Sequence, residues 1–441
     1  MNKEVKKLVE NSRSSLDFLN KKSNKKINSI IKLIEKEILN KEVNYKLSEM
    51  AVKETGFGNI KDKIYKNKYK TKNLIKEIIK IKTNKPIYNN SKKIYEIIKP
   101  IGLICGVTPS TNPVATALNY IINSIKCRNS IIICPNPRSY KVSQYLINKI
   151  KEVFLKNKIP EEIVNIVPES IIRGDEVINL FNLCDKNIVT GNKNFISKVK
   201  KSIKPFLTFG VGNVPVIVNK DADLSYAASS ISKSKSFDNS TSCSADSVAI
   251  VHQKVYNSFV KKLVSNGFYF LDEKSKKNLE EIYLTKNFVN PRLIGKNAKT
   301  ILKHININIK KVKIIIYEKK FFDKNHFIFN EKILPLMGLI PFKSISEAIK
   351  IAQNILKING LGHSAGIYSK NKKDILEISK SLDVSRLIIN QEHSQSAGGS
   401  VNNSLNTTLS LGCGAWGNNQ INHNLNYLDF SNKTLVILRK K

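Results

Sequence analysis

The sequence predicts an α/β protein built on two parallel sheets, each covered by helices on both faces. Three observations predict it. From Ile101 onward short apolar runs alternate with helical patterns, a second series of the same kind begins at SVAIVHQKV, and no repeat or low-complexity linker separates the two. A chain of 441 residues, 41% hydrophobic and 25% charged, can bury two sizeable cores, which excludes disorder as its main state.

Taken in order, the segment from the N-terminus to about Lys80 repeats apolar residues at helical spacing among lysines and glutamates, as in LDFLNKKSNKKINSIIKLIEKEIL. This predicts amphipathic helices packed on the outside of the molecule. The opening residues mix both charge signs and have no apolar h-region, so no secretory signal is expected. IKTNKPIYNNSKKIYEIIKPIG sets Asn-Asn-Ser between short β-branched runs and predicts a hairpin from about Lys82 to Ile97. The first α/β series is then IGLICGVTP, a helix starting near Asn112, SIIICPNP, the helix SYKVSQYLINKIKEVFLKN, NIVP, a short helix, NIVTG, the helix NKNFISKVKKSI, and PVIVN. A helix from Asp223 to Lys235 leads into the second series, which has VKIIIY and GIYS among its strands. The final segment, NLNYLDFSNKTLVILRKK, ends in a strand pattern too isolated to stand alone, and is expected to join another sheet, in a partner subunit.

Other function classes are excluded on composition and pattern. Ile101 to Ile125 carries no charged side chain and has the length to span a bilayer. Its Thr-Pro-Ser-Thr-Asn-Pro centre would leave polar groups facing lipid, so strand, loop and helix are expected and no membrane association. The formal net charge of +39, from 74 Lys+Arg against 35 Asp+Glu, invites a nucleic-acid reading. The excess is lysine spread along the whole chain beside abundant asparagine and isoleucine, as codon bias in an AT-rich genome produces. No arginine-rich arm or reader motif accompanies it, so no specific nucleic-acid partner is expected, only salt-sensitive attraction of polyanions and anionic substrates. Six cysteines lie without CxxC spacing or a small secreted frame, which points to no metal site, no disulfide scaffold and a reducing, cytoplasmic location.

The segment SKSFDNSTSCSADSVAIV places Cys243 in a run of small polar residues between a helix and a strand, where substrate can reach a thiol. Cys105, Cys127, Cys134 and Cys184 stand in apolar settings and read as small buried hydrophobes. FDNSTSCS resembles the nucleophile segment of the aldehyde dehydrogenase superfamily in its CoA-acylating branch, which includes the aldehyde domain of bifunctional alcohol/aldehyde dehydrogenases. KETGFGNIKDKIYKNKY, GVTPSTNP, CPNPR, VTGNK, GVGNVPVIV, NPRLIGKNAKTI, EKILP, GLGHSAGIY and LSLGCGAWGNN agree in the same order. Within the branch, TSCS and the ending GGSVNNSLNTTLSLGCGAWGNNQINHNLNYLDF are most similar to acylating sulfoacetaldehyde dehydrogenases. The likeness covers essentially the full chain. It implies a Rossmann-like cofactor domain over 1–235 carrying the oligomerisation hairpin, an α/β catalytic domain over 236–425, and a C-terminal oligomerisation strand over 426–441.

The resemblance also implies roles. Cys243, as thiolate, attacks the aldehyde carbonyl and gives a hemithioacetal that surrenders hydride to a nicotinamide, NAD or NADP. Asn112 matches the oxyanion asparagine, acting with the Cys243 backbone N–H; alone it would read as a turn or N-cap residue before Pro113. His363 in GLGHSAG matches a histidine of the acylating branch that assists thiol deprotonation or binds CoA, although a lone histidine is more often structural. No glutamate base in a Gly-rich strand-end motif precedes Cys243, so coenzyme A is the expected acyl acceptor and an acyl-CoA the product. The alternatives are a hydrolytic aldehyde dehydrogenase and a scaffold of the same fold that has lost its chemistry.

On the cofactor side the likeness assigns Thr108 and Pro109 of GVTPSTNP, places Pro135, Pro137 and Arg138 along the adenosine, and sets Thr190 and Gly191 near the pyrophosphate or nicotinamide. It adds Gly210 and Gly212 of GVGNVP, and Glu331, which holds the nicotinamide ribose and alone would read as a solvated helix charge. Three departures stand out: TFGVGNVP is shorter than the family's Gly-rich loop, Leu334 replaces a small residue, and Asn418 replaces a glycine. Hydroxyls of Thr241, Ser242 and Ser244 are positioned in sequence to bind a sulfonate, which favours sulfoacetaldehyde with acetaldehyde next. The two orphan β segments, about Lys82–Ile97 and Tyr427–Leu438, imply a homo-oligomer.

Overall fold

The computed structural model describes residues 3–172, 176–191, 193–285 and 288–439. Asn192, where one expected helix opens, and the outermost residues of both terminal elements lie outside the described residues.

The chain begins with α1 (Lys3–Ser14), α2 (Leu16–Asn20), α3 (Asn24–Ile38), α4 (Lys41–Thr55) and α5 (Ile60–Ile78). In α3 the Ser23 hydroxyl caps the first turn by accepting from Lys26 N, and Ile27, Ile30, Ile31, Ile34 and Ile38 recur at helical spacing on one fully buried face. Burial of each such side chain contributes about 1.5–3 kcal/mol. Helix α5 departs from the expected pattern. Its first turn is capped by Asn59, but its inner face carries Lys63, Lys66 and Lys70 ahead of Leu74 and Ile78. Lysines expected at the surface are buried there because that face meets acceptors on the other half of the molecule.

The strands are β1 (Pro86–Asn89), β2 (Ile94–Pro100), β3 (Leu103–Thr108), β4 (Ser130–Pro135), β5 (Val164–Ile166), β6 (Lys186–Thr190), β7 (Phe206–Phe209), β8 (Val214–Val218), β9 (Asp246–His252), β10 (Phe268–Phe270), β11 (Leu284–Thr285), β12 (Phe288–Val289), β13 (Ile314–Glu318), β14 (Leu336–Phe342), β15 (Ala365–Tyr368), β16 (Leu387–Ile389) and β17 (Ser431–Val436). A parallel sheet runs β5-β4-β3-β6-β7, and a second parallel sheet runs β10-β13-β14-β9-β8-β15-β16. Side chains alternate across each. In β3, Ile104 joins the core beneath α6 (Pro113–Lys126) and α7 (Tyr140–Lys156), whereas Leu103, Cys105 and Val107 join the core beneath α1, α8 (Glu169–Ile172) and α9 (Glu176–Leu183). In the second sheet Ile217 and Ile250 face one core, and Val216 and Ala249 face the other.

The expected α/β class with parallel sheets holds, and three placements differ from expectation. PVIVN is β8 and pairs with β9 and β15, so the change of sheet falls between β7 and β8 rather than at residue 235. The helix expected from Asp223 to Lys235 is present, with α10 (Lys193–Val199) and α11 (Leu224–Ser236) falling on opposite sides of that change. Strand β14 occupies the centre of the second sheet although LMGLIPF, with its Gly338 and Pro341, is a poor strand pattern. Lastly, β17 pairs antiparallel with β2 of its own chain, Thr434 opposite Ile97, so the two orphan β segments satisfy each other instead of each waiting for a partner. Among the described residues no helix is long and apolar enough to cross a membrane.

Candidate active site

The nucleophile candidate, Gly212, Glu331 and His363 lie just ahead of β9, β8, β14 and β15, which are four adjacent central strands of the second sheet. Sequence-distant residues therefore converge at one end of that sheet. Cys243 is partly exposed and follows Asp238, Asn239 and Ser240, all three with left-handed φ of 50°, 52° and 63°. A run of non-glycine residues in that region is strained and has to be held by its surroundings.

Asp238 supplies much of that hold. Its carboxylate accepts from Lys66 Nζ at 2.6 Å, Lys63 Nζ at 3.0 Å, Thr241 Oγ1 at 2.9 Å and Asn59 N at 3.0 Å. Burial works to raise its pKa, but Lys66 and Lys63 prevail and keep the group below the usual carboxylate range. Thr241 thus spends its hydroxyl on Asp238, which corrects the expectation that it faces a sulfonate. Ser242 and Ser244 remain beside Cys243, with their hydroxyls 2.9 Å apart.

A small cavity brings together Cys243, Asn112, Ser242, Ser244, Lys66 and Lys70. No Asp or Glu is among the described residues that line it. Asn112 stands at the N-cap position of α6 but makes no side-chain cap bond, so the purely structural role open to it in sequence is not taken. Lys70 donates to the carbonyls of Gln395, Gly398 and Gly399 at 2.8–3.0 Å. Burial lowers its pKa to about 7.

Behind the nucleophile, an added Cβ on Gly212 would sit 2.0 Å from the Cys243 carbonyl oxygen and 3.0 Å from His363 Cε1. Only glycine lets these three segments close on one another. Gly212 N donates to Glu331 Oε1 at 3.2 Å, which places Glu331 in a loop beside the site rather than on a solvated helix. His363 is fully buried, its Nδ1 is 2.8 Å from Ser364 Oγ, and its buried Nε2 has no hydrogen-bond partner among the described residues. Burial, then Arg386 and His393, depress its pKa well below the ordinary value, which favours the neutral ring. Burial pushes the Cys243 thiol up to about 12, with Glu331 adding to the shift and Arg386 opposing it.

On the other sheet, Thr108 and Pro135 end the paired strands β3 and β4, and Thr190 ends β6. The chain leaves β3 toward β4 and returns to β6 on its opposite side, so these carboxyl ends flank a topological switch point, the usual location of a dinucleotide. Pro109 continues the loop from Thr108 to Asn112, Pro137 opens a short turn after β4, and Arg138 is exposed. Thr190 Oγ1 is 2.7 Å from Tyr120 OH and 3.1 Å from Ser410 Oγ. A cleft of about 420 Å³ is lined by Gly191, Gly210, Cys413 and Trp416 among others. The residues present fit a dinucleotide: among the described residues a buried Thr108 Oγ1 lacks a partner, and a Cβ on Gly210 would meet nothing within 4 Å. Gly212 is displaced from this cleft onto Cys243.

The sequence reading missed Lys66, Lys70, Asp238 and Arg386. A signal existed: Lys66 and Asp238 stand inside KETGFGNIKDKIYKNKY and FDNSTSCS, two of the segments that carry the family likeness, without a role assigned to them. Among the described residues no group of three or more His, Cys, Asp or Glu side chains is placed to hold a metal ion.

The profile of the aldehyde dehydrogenase family matches residues 1–270. The chain is 32% identical to a sulfoacetaldehyde dehydrogenase of Acholeplasma over 91% of its own length and 84% of the relative's. It is 30% identical to an acylating sulfoacetaldehyde dehydrogenase of Cupriavidus necator, over 89% and 80%. Its structure superposes on an acetylating aldehyde dehydrogenase of Geobacillus thermoglucosidasius with a TM-score of 0.93, at 27% identity, covering 100% of this chain and 97% of the other. With a cysteine nucleophile candidate and a carboxamide lining one cavity, a topological switch point in the other sheet and these likenesses, the chain belongs to the aldehyde dehydrogenase family, in its acylating branch.

Proposed function

We propose that this chain interconverts sulfoacetaldehyde and its acyl-CoA with NAD or NADP, through a thioester on Cys243. Cys243 Sγ attacks the carbonyl carbon, and its proton passes to His363 Nε2. The carbonyl oxygen becomes an alkoxide that accepts from Asn112 Nδ2 and the Cys243 N–H. A nicotinamide held by Glu331 and the loops after β3, β4 and β6 supplies the hydride acceptor when bound. The thiol of CoA, losing its proton to solvent, then attacks the Cys243 thioester, and Cys243 departs as thiolate and regains the proton held on His363.

One observation carries this reading: a thiol, a carboxamide and a buried ammonium meet in a single small cavity with no carboxylate among its described lining residues. Among its described lining residues that cavity has no carboxylate to play the part of the glutamate base of hydrolytic relatives, which favours CoA over hydrolysis as the acyl acceptor. The buried Lys70, whose three N–H groups are bonded to carbonyls, offers an anionic tail Coulombic attraction, and the Ser242 hydroxyl offers it a hydrogen bond, whereas Ser244 donates to the Ser394 carbonyl; this favours sulfoacetaldehyde over acetaldehyde. Two relatives act on that aldehyde by name. The sheet β1-β2-β17 leaves Ile87, Tyr88, Leu435 and Val436 exposed, which supports a homo-oligomer formed through it.

The test is NAD(P)H formation that requires both aldehyde and CoA, with kcat/KM for sulfoacetaldehyde above that for acetaldehyde. Cys243→Ala abolishes it. Full CoA-dependent activity in that variant overturns the nucleophile assignment, and a preference for acetaldehyde overturns the substrate.

A further inference from the structure

We propose that Lys66, anchored by Asp238, is a positioning residue that fixes which end of the Asn112 carboxamide faces the substrate. The inference depends on Asn112 being the oxyanion donor. A carboxamide has a donor end and an acceptor end of nearly equal size, and a flip about its terminal bond exchanges them. For an oxyanion donor that flip is fatal, since it turns a lone pair toward the developing alkoxide.

Here an ammonium decides the orientation. Lys66 Nζ donates to Asn112 Oδ1 at 2.5 Å, and a lysine has donors only, so the flipped amide would set NH₂ against NH₃⁺. The opposite end, Nδ2, has Thr111 Oγ1 as a contact only at 3.4 Å, the limit of a hydrogen bond, and is left for a stronger acceptor. A cation on Oδ1 also polarises the amide and strengthens the Nδ2 donor.

Lys66 is itself held. Its ammonium is 2.6 Å from Asp238, which lies in the strained turn leading to Cys243. Lys63, one helical turn earlier on α5, bonds both the same carboxylate at 3.0 Å and the carbonyl of Thr111 at 3.0 Å. The two lysines of one helix face therefore fix both the backbone entering Asn112 and its side chain. The same carboxylate ties them to the nucleophile's own turn. Donor and nucleophile thus share one anchor, which keeps their separation constant.

The experiment is a double-mutant cycle between Lys66→Met and Asn112→Ala, read with acetaldehyde so that substrate charge plays no part. Asn112→Ala alone lowers kcat by about 10²–10³-fold. Lys66→Met lowers kcat by about 10²-fold with KM for CoA and for the nicotinamide cofactor within about twofold of the parent, and Lys66→Arg recovers most of the loss. The double variant is no slower than Asn112→Ala. Lys66→Gln shows the same non-additivity should the methionine variant fail to fold. If the lysine substitution costs the same factor with or without Asn112, or costs nothing, the positioning role is wrong. If Asn112→Ala keeps the parental kcat, the oxyanion assignment beneath it fails first, a separate result.

Discussion

Burial and the nearby Glu331 push the pKa of the Cys243 thiol up to about 12, which favours its protonated form. Attack therefore needs a proton acceptor, the role proposed for Nε2 of His363, which has no hydrogen-bond partner among the described residues. Alkylation of Cys243 by iodoacetamide is expected to accelerate with pH without a plateau through about pH 9; a plateau near neutrality would mean a thiolate already stabilised at rest. Lys70 gives the opposite trend. With its pKa lowered to about 7, it carries charge below that pH and loses it above. The KM for sulfoacetaldehyde should rise as pH increases through about 7, while that for acetaldehyde stays level, and Lys70→Met should raise the former by about tenfold, a change of ~1.4 kcal/mol. Equal pH profiles for the two aldehydes would remove Lys70 from substrate recognition.

At the level of elements, the loops ahead of β8, β9, β14 and β15 form the site, and they are packed against one another without slack. Gly212→Ala places a methyl group against the Cys243 carbonyl, and is expected to destabilise the fold by about 1–3 kcal/mol and to lower kcat further by displacing the nucleophile. A variant with parental Tm and kcat would show the loop to be loose. The departure at Asn418 has a local cause: it adopts φ 55°, a left-handed conformation that asparagine tolerates where glycine is usual. Leu334 is fully buried in the core of the second sheet, so the larger side chain is accommodated by packing. Strands with unbroken β-branched runs, such as SIIICP and VKIIIY, were legible in sequence, as were the polar segment around Cys243 and the helix after Asn112. Lys66 and Lys70 were not. Helical periodicity assigns lysine to solvent, and their burial depends on Asp238 and on carbonyls hundreds of residues away, which no local pattern encodes. Pairing of β17 with β2 escaped for the same reason, since a strand's partner is set by tertiary placement.

For the whole molecule, residues beside both parallel sheets share cavities: Asn112, after β3, with Cys243, ahead of β9, and Gly191, after β6, with Gly210 and Gly360, ahead of β8 and β15. The positive charge of +39 makes the particle attractive to polyanions in general, so binding to nucleic acid should be weak and lost as salt rises. The exposed apolar side chains of β1 and β17 predict assembly. Sedimentation should give a dimer or larger species at micromolar protein, and Leu435→Lys with Ile87→Lys should shift it toward monomer; a parent that sediments as a monomer would contradict the proposal.

The most direct measurement is mass spectrometry of the intact protein mixed with aldehyde and NAD(P) in the absence of CoA. The account predicts an acyl adduct on Cys243 that disappears on addition of CoA with release of the acyl-CoA. An adduct on any other residue, or product formation with Cys243 unmodified and dispensable, would contradict it.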